Sequence, residues 1–457
     1  MDGGRLSVIF LQEGTQFAYQ YLLNNIWVIF SALLIFLMTI AVGFLEVGEI
    51  GLGFSRSLMK TLSITAVSLV VMAFFGFNIA FAPTIRGVIG DPFYMPGLFL
   101  GGFSSSAAGL LTGQWWSMAA SYSGTGLMTG SYFLFEAASA AVTFALVSVI
   151  FLNKVKFSVQ VAFSVVYFLF IWTIPASWIW NPTGWLYTLG MRDFAGGIVV
   201  HGAAGIAGMA IVLQIWREER SSGHKSSTQV PFNVNETWLT LAILMLWIGW
   251  FGFNAGSVFA FNSDALVVVL TTFLSGSMSF VSMMVIAYLY THKMPGLMDG
   301  VNGVLMGLIV ITPLAGFVSP GSAIILGLVA GPIYFFVSNG LSKSRWFSDP
   351  IGLFPGHLVG GIFGITMIGF FTESSFAAAS GNPGLPNGLF FGGGLSALRQ
   401  LGIEELGVIS VAAFVFVASL ITMTAISKLM GGILEDSEKI PGITKGATRK
   451  HATSGGR

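Results

Sequence analysis

The sequence predicts an all-α membrane protein of eleven transmembrane helices, built from two inverted five-helix repeats and one extra C-terminal helix. Three observations lead to this fold class. The composition carries very little charge, eleven long stretches are almost free of charged residues, and one short motif occurs once in each half of the chain.

The composition excludes a water-soluble protein. Of 457 residues, 54% are hydrophobic and 9% are charged, whereas about a quarter of the residues in a soluble domain are charged. So few charged side chains cannot cover the surface of a protein of this size, so lipid must cover it. The 59 glycines fit close helix packing in a bilayer. We expect a multi-pass protein of the cell membrane.

Several function classes are also excluded. The net charge is +1, and no run of basic and aromatic residues resembles a nucleic-acid surface. The chain has no cysteine, which excludes disulfides, iron–sulfur clusters, thiolate zinc sites and cysteine nucleophiles. An enzyme would need a nucleophile or a metal cluster, and the sequence shows neither. We therefore expect no enzymatic activity, no cofactor and no metal.

The spans follow from the thickness of the bilayer. A hydrocarbon core of about 30 Å needs roughly 20 apolar helical residues. Eleven charge-poor stretches meet this requirement: 25–45, 59–80, 128–152, 157–178, 194–216, 237–256, 265–290, 299–318, 321–340, 351–371 and 406–430. The Gly/Ser-rich stretch 101–127 is long enough to contain a further re-entrant or surface helix.

Basic residues indicate the orientation, because they concentrate in cytoplasmic loops. With the N-terminus outside, sixteen of the twenty Lys and Arg residues lie inside and four lie outside. The sequence therefore predicts an N-out, C-in protein. Residues 1–24 form an extracytoplasmic segment, 25–430 the transmembrane domain and 431–457 a cytoplasmic tail.

A shared motif relates the two halves. His201 and His357 each begin the pattern H-x-x-x-G-I-x-G, in the fifth and the tenth span. Each span closes a unit of five helices, about 25–216 and 237–371, and an odd number of crossings inserts the second unit upside down. Inverted repeats place their site near the midplane, where the halves meet.

The two span histidines are candidates for function. An ionisable group inside a bilayer is costly unless it faces a cavity or a partner. The motif glycines lie on the face of the histidine, so that two helices can cross closely and bring the two imidazoles into contact. Zinc would need further ligands, and no suitable cluster accompanies the pair. A pair that handles protons is the preferred interpretation.

Further motifs occur in a fixed order along the chain. They are 193–201 (DFAGGIVVH), 250–257 (WFGFNAGS), 298–305 (MDGVNGVL), 311–313 (ITP), 317–320 (FVSP), 354–357 (FPGH) and 388–394 (GLFFGGG). Together they resemble the Amt/Rh ammonium transporter family, and its Amt branch in particular. The resemblance covers nearly every span from Trp27 onwards.

The resemblance implies a homotrimer with a pore through each subunit, which carries ammonium. In such a pore His201 and His357 would be the twin histidines that share a proton, and Phe135 and Phe253 would form the gate. Asp193, Ser257 and Trp180 would belong to an outer vestibule that recruits the cation. Trp180 is preferred there over Trp178 and Trp185. Asp193 also suits a helix N-cap, and Ser257 equally suits a packing role.

The chain departs from the family at several positions. The second gate aromatic is replaced by Ser139, and a further aspartate before the second histidine is replaced by Gly352. Glu136 occurs where glutamine is common, and it is either a hydrogen-bonded packing residue or a cation site near the entrance. The tail after Lys439 is basic and rich in Gly and Ser.

Two functions remain open. An ammonium ion without water in an apolar pore would face tens of kcal/mol of Born cost, whereas ammonia faces only a few. A transporter would therefore move ammonia and a proton separately, or ammonia alone. The alternative is an ammonium-binding sensor that conducts little or nothing. It would signal through the C-terminal tail to a cytoplasmic regulator or signalling domain.

Overall fold

The protein is an all-helical membrane bundle. The computed structural model describes residues 3–51, 53–93, 127–151, 154–222, 234–342, 349 and 352–435. In this part of the chain eleven helices are long and apolar enough to cross a bilayer, which confirms the predicted number. They are α1 (Tyr19–Glu49), α2 (Phe54–Phe81), α3 (Thr129–Ser148), α4 (Phe157–Ile179), α5 (Gly197–Ser221), α6 (Glu236–Gly256), α7 (Ser263–Thr291), α8 (Leu297–Leu314), α9 (Pro320–Ser342), α10 (Leu353–Phe371) and α11 (Gly394–Leu429). Most of the stretch 101–127, including its candidate further helix, lies outside the described residues.

The first and last helices are longer than the sequence predicts. The helix that contains α1 runs from Gly3 to Ile50, and α11 has 36 residues. A bilayer crossing needs only about 20 residues, so a span defined by membrane thickness omits helical turns that continue beyond the apolar core. The N-terminal segment is therefore continuous with the first span.

Short elements connect the spans. Helices at Trp185–Leu189 and Ser374–Ala379 and an antiparallel hairpin of β1 (Thr84–Ile85) and β2 (Ile89–Gly90) lie between long helices. In the described ranges four spans contain a π-helical turn, and two of these turns, Gly197–Gly202 and Leu353–Leu358, carry the span histidines. π-Turns occur frequently at functional sites.

Equivalent helices of the two predicted halves pack against each other. Among the helices that the structure describes, α1 and α6 share the most extensive contact, and α5 packs against α10. Glycines allow the approach of α6 to α1. A Cβ atom at Gly249 would lie 2.2 Å from Cγ of Met38, and one at Gly252 would lie 2.6 Å from Cβ of Leu34. These pairings are what two units related by a pseudo-two-fold axis would make.

An ion pair is buried between α1 and α2. Lys60 of α2 donates a hydrogen bond to Glu46 of α1, and their side chains are 8% and 0% exposed. A charge inside a bilayer is costly unless it has a partner. The pair therefore joins the adjoining ends of two neighbouring spans, and loss of one partner leaves the other charge uncompensated.

We expect Lys60→Met to lower the free energy of unfolding by about 3 to 5 kcal/mol, because Glu46 loses its buried partner. The double variant Glu46→Leu/Lys60→Met should recover most of this loss, since no charge then remains. Reversible unfolding in detergent measures both.

The control for this prediction is Arg56→Met, which removes the half-exposed ion pair with Glu435 (3.0 Å). It should cost no more than about 1 kcal/mol. A double variant that is as unstable as Lys60→Met would contradict the electrostatic explanation.

Candidate functional site

The two span histidines meet in the interior of the bundle. Nδ1 of His201 and Nδ1 of His357 are 3.2 Å apart, within hydrogen-bonding distance. The residues are 1% and 9% exposed. Nε2 of His201 is buried and has no protein hydrogen-bond partner. The two rings therefore contact each other through their Nδ1 atoms. Nε2 of His201, on the other side of its ring, remains available for a hydrogen bond.

Glycines of the shared motif permit this contact. A Cβ atom at Gly205 would lie 2.6 Å from Cβ of Leu358, and one at Gly361 would lie 2.3 Å from the carbonyl oxygen of Gly197. Both distances are too short for any side chain without a shift of the neighbouring helix. The backbones of α5 and α10 therefore cross closely beside the two imidazoles, as the motif spacing predicts.

A buried aspartate starts α5. Asp193 is 4% exposed, and its Oδ1 accepts hydrogen bonds from the N–H groups of Gly196 (2.9 Å) and Gly197 (2.6 Å). Its Oδ2 accepts from Ile198 (2.8 Å) and Val199 (3.0 Å). Both oxygens are thus occupied by the N–H groups that a helix start leaves without partners. Burial raises the pKa of the Asp193 carboxyl above its ordinary value, and the four N–H donors oppose this effect.

The start of α10 repeats this arrangement. Asp349 accepts hydrogen bonds from the N–H groups of Leu353 (2.8 Å) and Phe354 (2.9 Å). In each half a glycine with a left-handed φ lies three residues after the aspartate: Gly196 at +114° and Gly352 at +67°.

A histidine follows each of these aspartates after eight residues. The repeated pattern D-x-x-G-x-x-x-x-H was therefore present in the sequence, although the H-x-x-x-G-I-x-G motif alone does not show it. The aspartate, the left-handed glycine and the π-turn occur together before each histidine. Together they fix the backbone that carries each imidazole, and so its position along the helix and its direction.

Trp180 lies beside the start of α5. Its indole N–H donates to the carbonyl oxygen of Asp193 (2.7 Å), and its ring packs against Trp172 with centroids 6.0 Å apart. The indole is therefore fixed at the level of the aspartate. This position suits the outer vestibule that the sequence indicates for Trp180.

Two aromatic rings of α6 lie beside His201. The rings of Trp250 and Phe253 lie 5.5 Å and 6.0 Å from the His201 ring. The Trp250 N–H donates to the Thr312 hydroxyl (2.9 Å) and so holds its ring in place. The sequence did not single out Trp250, although it belongs to the quoted motif.

The two predicted gate rings have different neighbours. Phe253 lies against His201, whereas Phe135 packs on Phe259 with centroids 5.4 Å apart. Phe135 also touches the end of α6, since a Cβ atom at Gly256 would lie 2.6 Å from its ring. Phe259 was missed, because no local sequence pattern marks a phenylalanine in the turn that follows α6.

Two other predicted residues lie nearby. The Ser257 hydroxyl donates to the carbonyl oxygen of Phe253 (2.9 Å), which leaves its lone pairs free to accept a hydrogen bond. Glu136, next to Phe135 in α3, is 3% exposed, and its Oε2 has no hydrogen-bond partner. The region around Phe135 and Phe253 thus offers oxygen acceptors close to aromatic rings.

Comparison with known proteins decides the family. A model described as the Ammonium Transporter Family matches residues 26–444. The chain belongs to the ammonium transporter family. A putative ammonium transporter of Methanothermobacter thermautotrophicus is 30% identical over 424 residues, which are 92% of this chain and 95% of that protein. An ammonium transporter of Bacillus subtilis is 30% identical, over 88% of this chain and 92% of its own length.

Solved structures share the fold of this chain. A structure described as a sensor Amt protein is similar with a TM-score of 0.75 and 24% identity, over 92% of this chain and 96% of that one. Mep2 of Saccharomyces cerevisiae has a TM-score of 0.75 and 24% identity, over 91% of this chain and 88% of that one. Both similarities agree with the eleven-helix bundle.

The structure accounts for one departure from the ammonium transporter pattern. At Gly352 a Cβ atom would lie 2.2 Å from the Tyr334 hydroxyl oxygen, and φ is +67°. No aspartate side chain fits there without displacing Tyr334. Ser139, the other departure, donates its hydroxyl to the carbonyl oxygen of Phe135 (2.9 Å).

We expect Asp193→Ala to lower the free energy of unfolding by about 2 to 4 kcal/mol, because four buried N–H groups lose their acceptor. Transport should fall as well, since the turn that carries His201 loosens. Unfolding in detergent and flux into vesicles measure the two effects.

The matched control is Asp264→Ala, which alters a partly exposed aspartate at the start of α7. It should change stability by no more than about 0.5 kcal/mol. An equal decrease in the free energy of unfolding in the two variants would show that the four hydrogen bonds to Asp193 do not stabilise the protein.

Proposed function

We propose that the protein transports ammonium by moving ammonia and a proton separately past a pair of histidines. The contact between Nδ1 of His201 and Nδ1 of His357 at 3.2 Å carries this proposal. Membership of the ammonium transporter family supports the choice of substrate. Since the two histidines lie in a desolvated interior, they suit proton transfer better than ion binding.

Desolvation explains why ammonium must lose a proton before it crosses the dry segment. Bare ammonium in a medium of low dielectric constant would face tens of kcal/mol of idealised Born cost, but neutral ammonia faces only a few. An ion that loses a proton at the outer end of the dry segment avoids most of this cost. The proton then needs a chain of groups that accept and donate hydrogen bonds.

The histidine pair supplies such a chain. When both rings are neutral, one Nδ1 carries the shared proton and the other Nδ1 accepts it. The two Nε2 atoms are consequently one acceptor and one donor. A proton that binds the accepting Nε2 lets the shared proton cross to the second ring, and that ring releases its own Nε2 proton. One proton enters, one crosses and one leaves, so the balance is complete.

The outer residues recruit the cation in this proposal. Aromatic faces attract a cation by about 0.5 to 2 kcal/mol, and Trp180 and Phe135 provide such faces. The Ser257 hydroxyl can accept an ammonium hydrogen. Asp193 does not act as a base, because its oxygens already accept four backbone hydrogen bonds, and it contributes by its charge and by its hold on α5. Phe253, whose ring lies 6.0 Å from that of His201, forms the gate together with Phe135.

We also propose an oligomeric assembly, which the family resemblance supports. The family resemblance implies a homotrimer in which each subunit has its own pore. Apolar side chains on the outer faces of α7 and α9, including Leu270 (45% exposed), Val285 (52%), Ile325 (49%) and Leu328 (47%), are suited to lipid or to a neighbouring subunit. We also propose the N-out, C-in orientation, in which Asp193 faces the outside.

Sensing is the second candidate. A structure named as a sensor Amt protein shares this fold, and the tail of this chain is basic and rich in Gly and Ser. Such a protein would bind ammonium at the same outer residues and conduct little or nothing. Its tail would pass the signal to a cytoplasmic regulator or signalling domain.

Flux separates the two candidates. We expect the full chain in liposomes to give a current when an ammonium gradient is applied, because the histidine pair passes protons. A potassium gradient and protein-free liposomes are the controls. Absence of current together with saturable ammonium binding would establish the sensor and reject the transporter.

The relay is tested by His201→Leu/His357→Leu. Leucine cannot accept or donate a proton, so we expect the ammonium-driven current to fall by about 100-fold or more, the scale of general acid–base effects. His292→Gln, at an exposed helix end, should conduct like the wild type. A double variant that keeps the wild-type rate and selectivity would refute the relay.

A further inference from the structure

Glu49, the last residue of α1, differs from the other buried carboxyls. In the part of the chain that the structure describes, five carboxyl residues are at most 4% exposed. Four of them accept a hydrogen bond from another group of the protein: Glu46, Glu136, Asp193 and Glu404. Glu49 is 1% exposed, and no described residue donates a hydrogen bond to it or forms an ion pair with it. Its whole carboxyl group therefore lacks the compensation that the other four have.

The groups around Glu49 are acidic. Asp349 acts on its carboxyl electrostatically, and both carboxyls act on the phenol of Tyr334 in α9. Asp299, at the start of α8, acts on the same phenol. A charged carboxylate without a donor, inside a bilayer and next to like charges, is costly. The least costly state of the Glu49 carboxyl is therefore the neutral acid, which carries a proton.

These acidic groups lie next to the turn that carries His357. Asp349 accepts hydrogen bonds from the N–H groups at the start of that turn. The Tyr334 ring lies along the same turn, because a Cβ atom at Gly352 would lie 2.2 Å from its hydroxyl oxygen and one at Gly356 would lie 3.6 Å from its Cε2. Gly356 directly precedes His357. The acidic groups are thus about one helical turn along α10 from the second histidine.

Glu49 corresponds to Ser257 of the other half. Gly48 closes the contact of α1 with the start of α6, since a Cβ atom there would lie 2.7 Å from the backbone nitrogen of Leu239. Gly256 closes the contact of α6 with α1, where a Cβ atom would lie 2.6 Å from a side-chain atom. Glu49 and Ser257 each follow their glycine directly. The inverted repeat therefore places a carboxyl at one end of the bundle where it places a hydroxyl at the other.

We propose that Glu49 is the group that releases the relayed proton on the side of the bundle opposite Asp193. A proton that leaves the histidine pair binds one oxygen of the protonated carboxyl, and the proton on the other oxygen passes to water on that side. The carboxyl ends with one proton, as it began, so one proton enters and one leaves. The proposal rests on the proposed function for the source of the proton, but not for the protonated state of Glu49.

Infrared difference spectroscopy tests the protonated state without transport. The spectrum of the full wild-type chain in detergent at neutral pH, minus that of Glu49→Gln, should show the carbonyl stretch of a protonated carboxyl, because an ionised carboxylate has no band at that position. Glu236→Gln is the control, since it alters an exposed carboxylate at the start of α6, and its difference spectrum should lack the band. A difference spectrum of Glu49→Gln without the band would overturn the proposal.

Transport in liposomes tests the role of the carboxyl. Glu49→Gln keeps the size of the side chain but cannot exchange a proton. We expect the ammonium-driven current to fall by about 10-fold to 100-fold, at or below the low end of acid–base effects, because water can replace part of the carboxyl's role. Ammonia uptake above that of protein-free liposomes, followed by the alkalinisation of an enclosed dye, should remain.

Two further variants separate proton release from packing. Glu49→Asp is shorter but can still exchange a proton, so it should keep more current than Glu49→Gln. Glu236→Gln should conduct like the wild type. Wild-type current in Glu49→Gln, an equal loss of current and of ammonia uptake in that variant, or an equal loss of current in Glu49→Asp and Glu49→Gln would each overturn the proposal.

The failure of this proposal differs from the failure of transport. If the wild type carries no ammonium current, the transporter is rejected, and proton release by Glu49 is rejected with it. If the wild type conducts and Glu49→Gln conducts equally well, transport stands and the role of Glu49 alone is rejected.

Discussion

A single hydrogen bond between two imidazoles in a water-poor interior determines the local structure of both halves. The contact of 3.2 Å between His201 and His357 requires two backbones to approach without intervening side chains. Gly205 and Gly361 allow this approach. Because lipid supplies no hydrophobic force between helices, such close packing must also provide much of their mutual attraction. The residues that permit the contact are therefore also residues that hold the bundle together.

Three buried carboxyl groups of the bundle have different kinds of partner. Lys60 neutralises Glu46 between α1 and α2, and four backbone N–H groups stabilise Asp193 at the start of α5. Glu136 has a free oxygen in α3. Oε2 of Glu46 likewise has no hydrogen-bond partner, so its charge is compensated by Lys60 through one oxygen only. Glu136 has a neutral partner instead, because it hydrogen-bonds to Tyr132.

Much of the fold could be predicted from the sequence, because bilayer thickness imposes a length on each span. The number of spans and the close crossing at His201 and His357 follow from charge-poor stretches and glycine spacing. Helix ends did not follow, since the helix Gly3–Ile50 continues beyond the apolar core. The repeated aspartate and glycine before each histidine were visible in the sequence, but their joint role requires the φ of Gly196 and Gly352. The left-handed backbone of Phe259 could not be predicted, because a phenylalanine with positive φ has no sequence signature.

Because the two rings are linked through their Nδ1 atoms, the proposed relay does not return to its starting state after one proton has passed. Each proton that passes leaves both imidazoles in the opposite tautomers, so the former acceptor end becomes the donor end. A second proton in the same direction must wait until the rings regain their first arrangement. Conduction then alternates between two steps, the passage of a proton and the return of both imidazoles to their first tautomers. The slower of these steps limits turnover. A backward proton, in contrast, finds the pair already prepared for it.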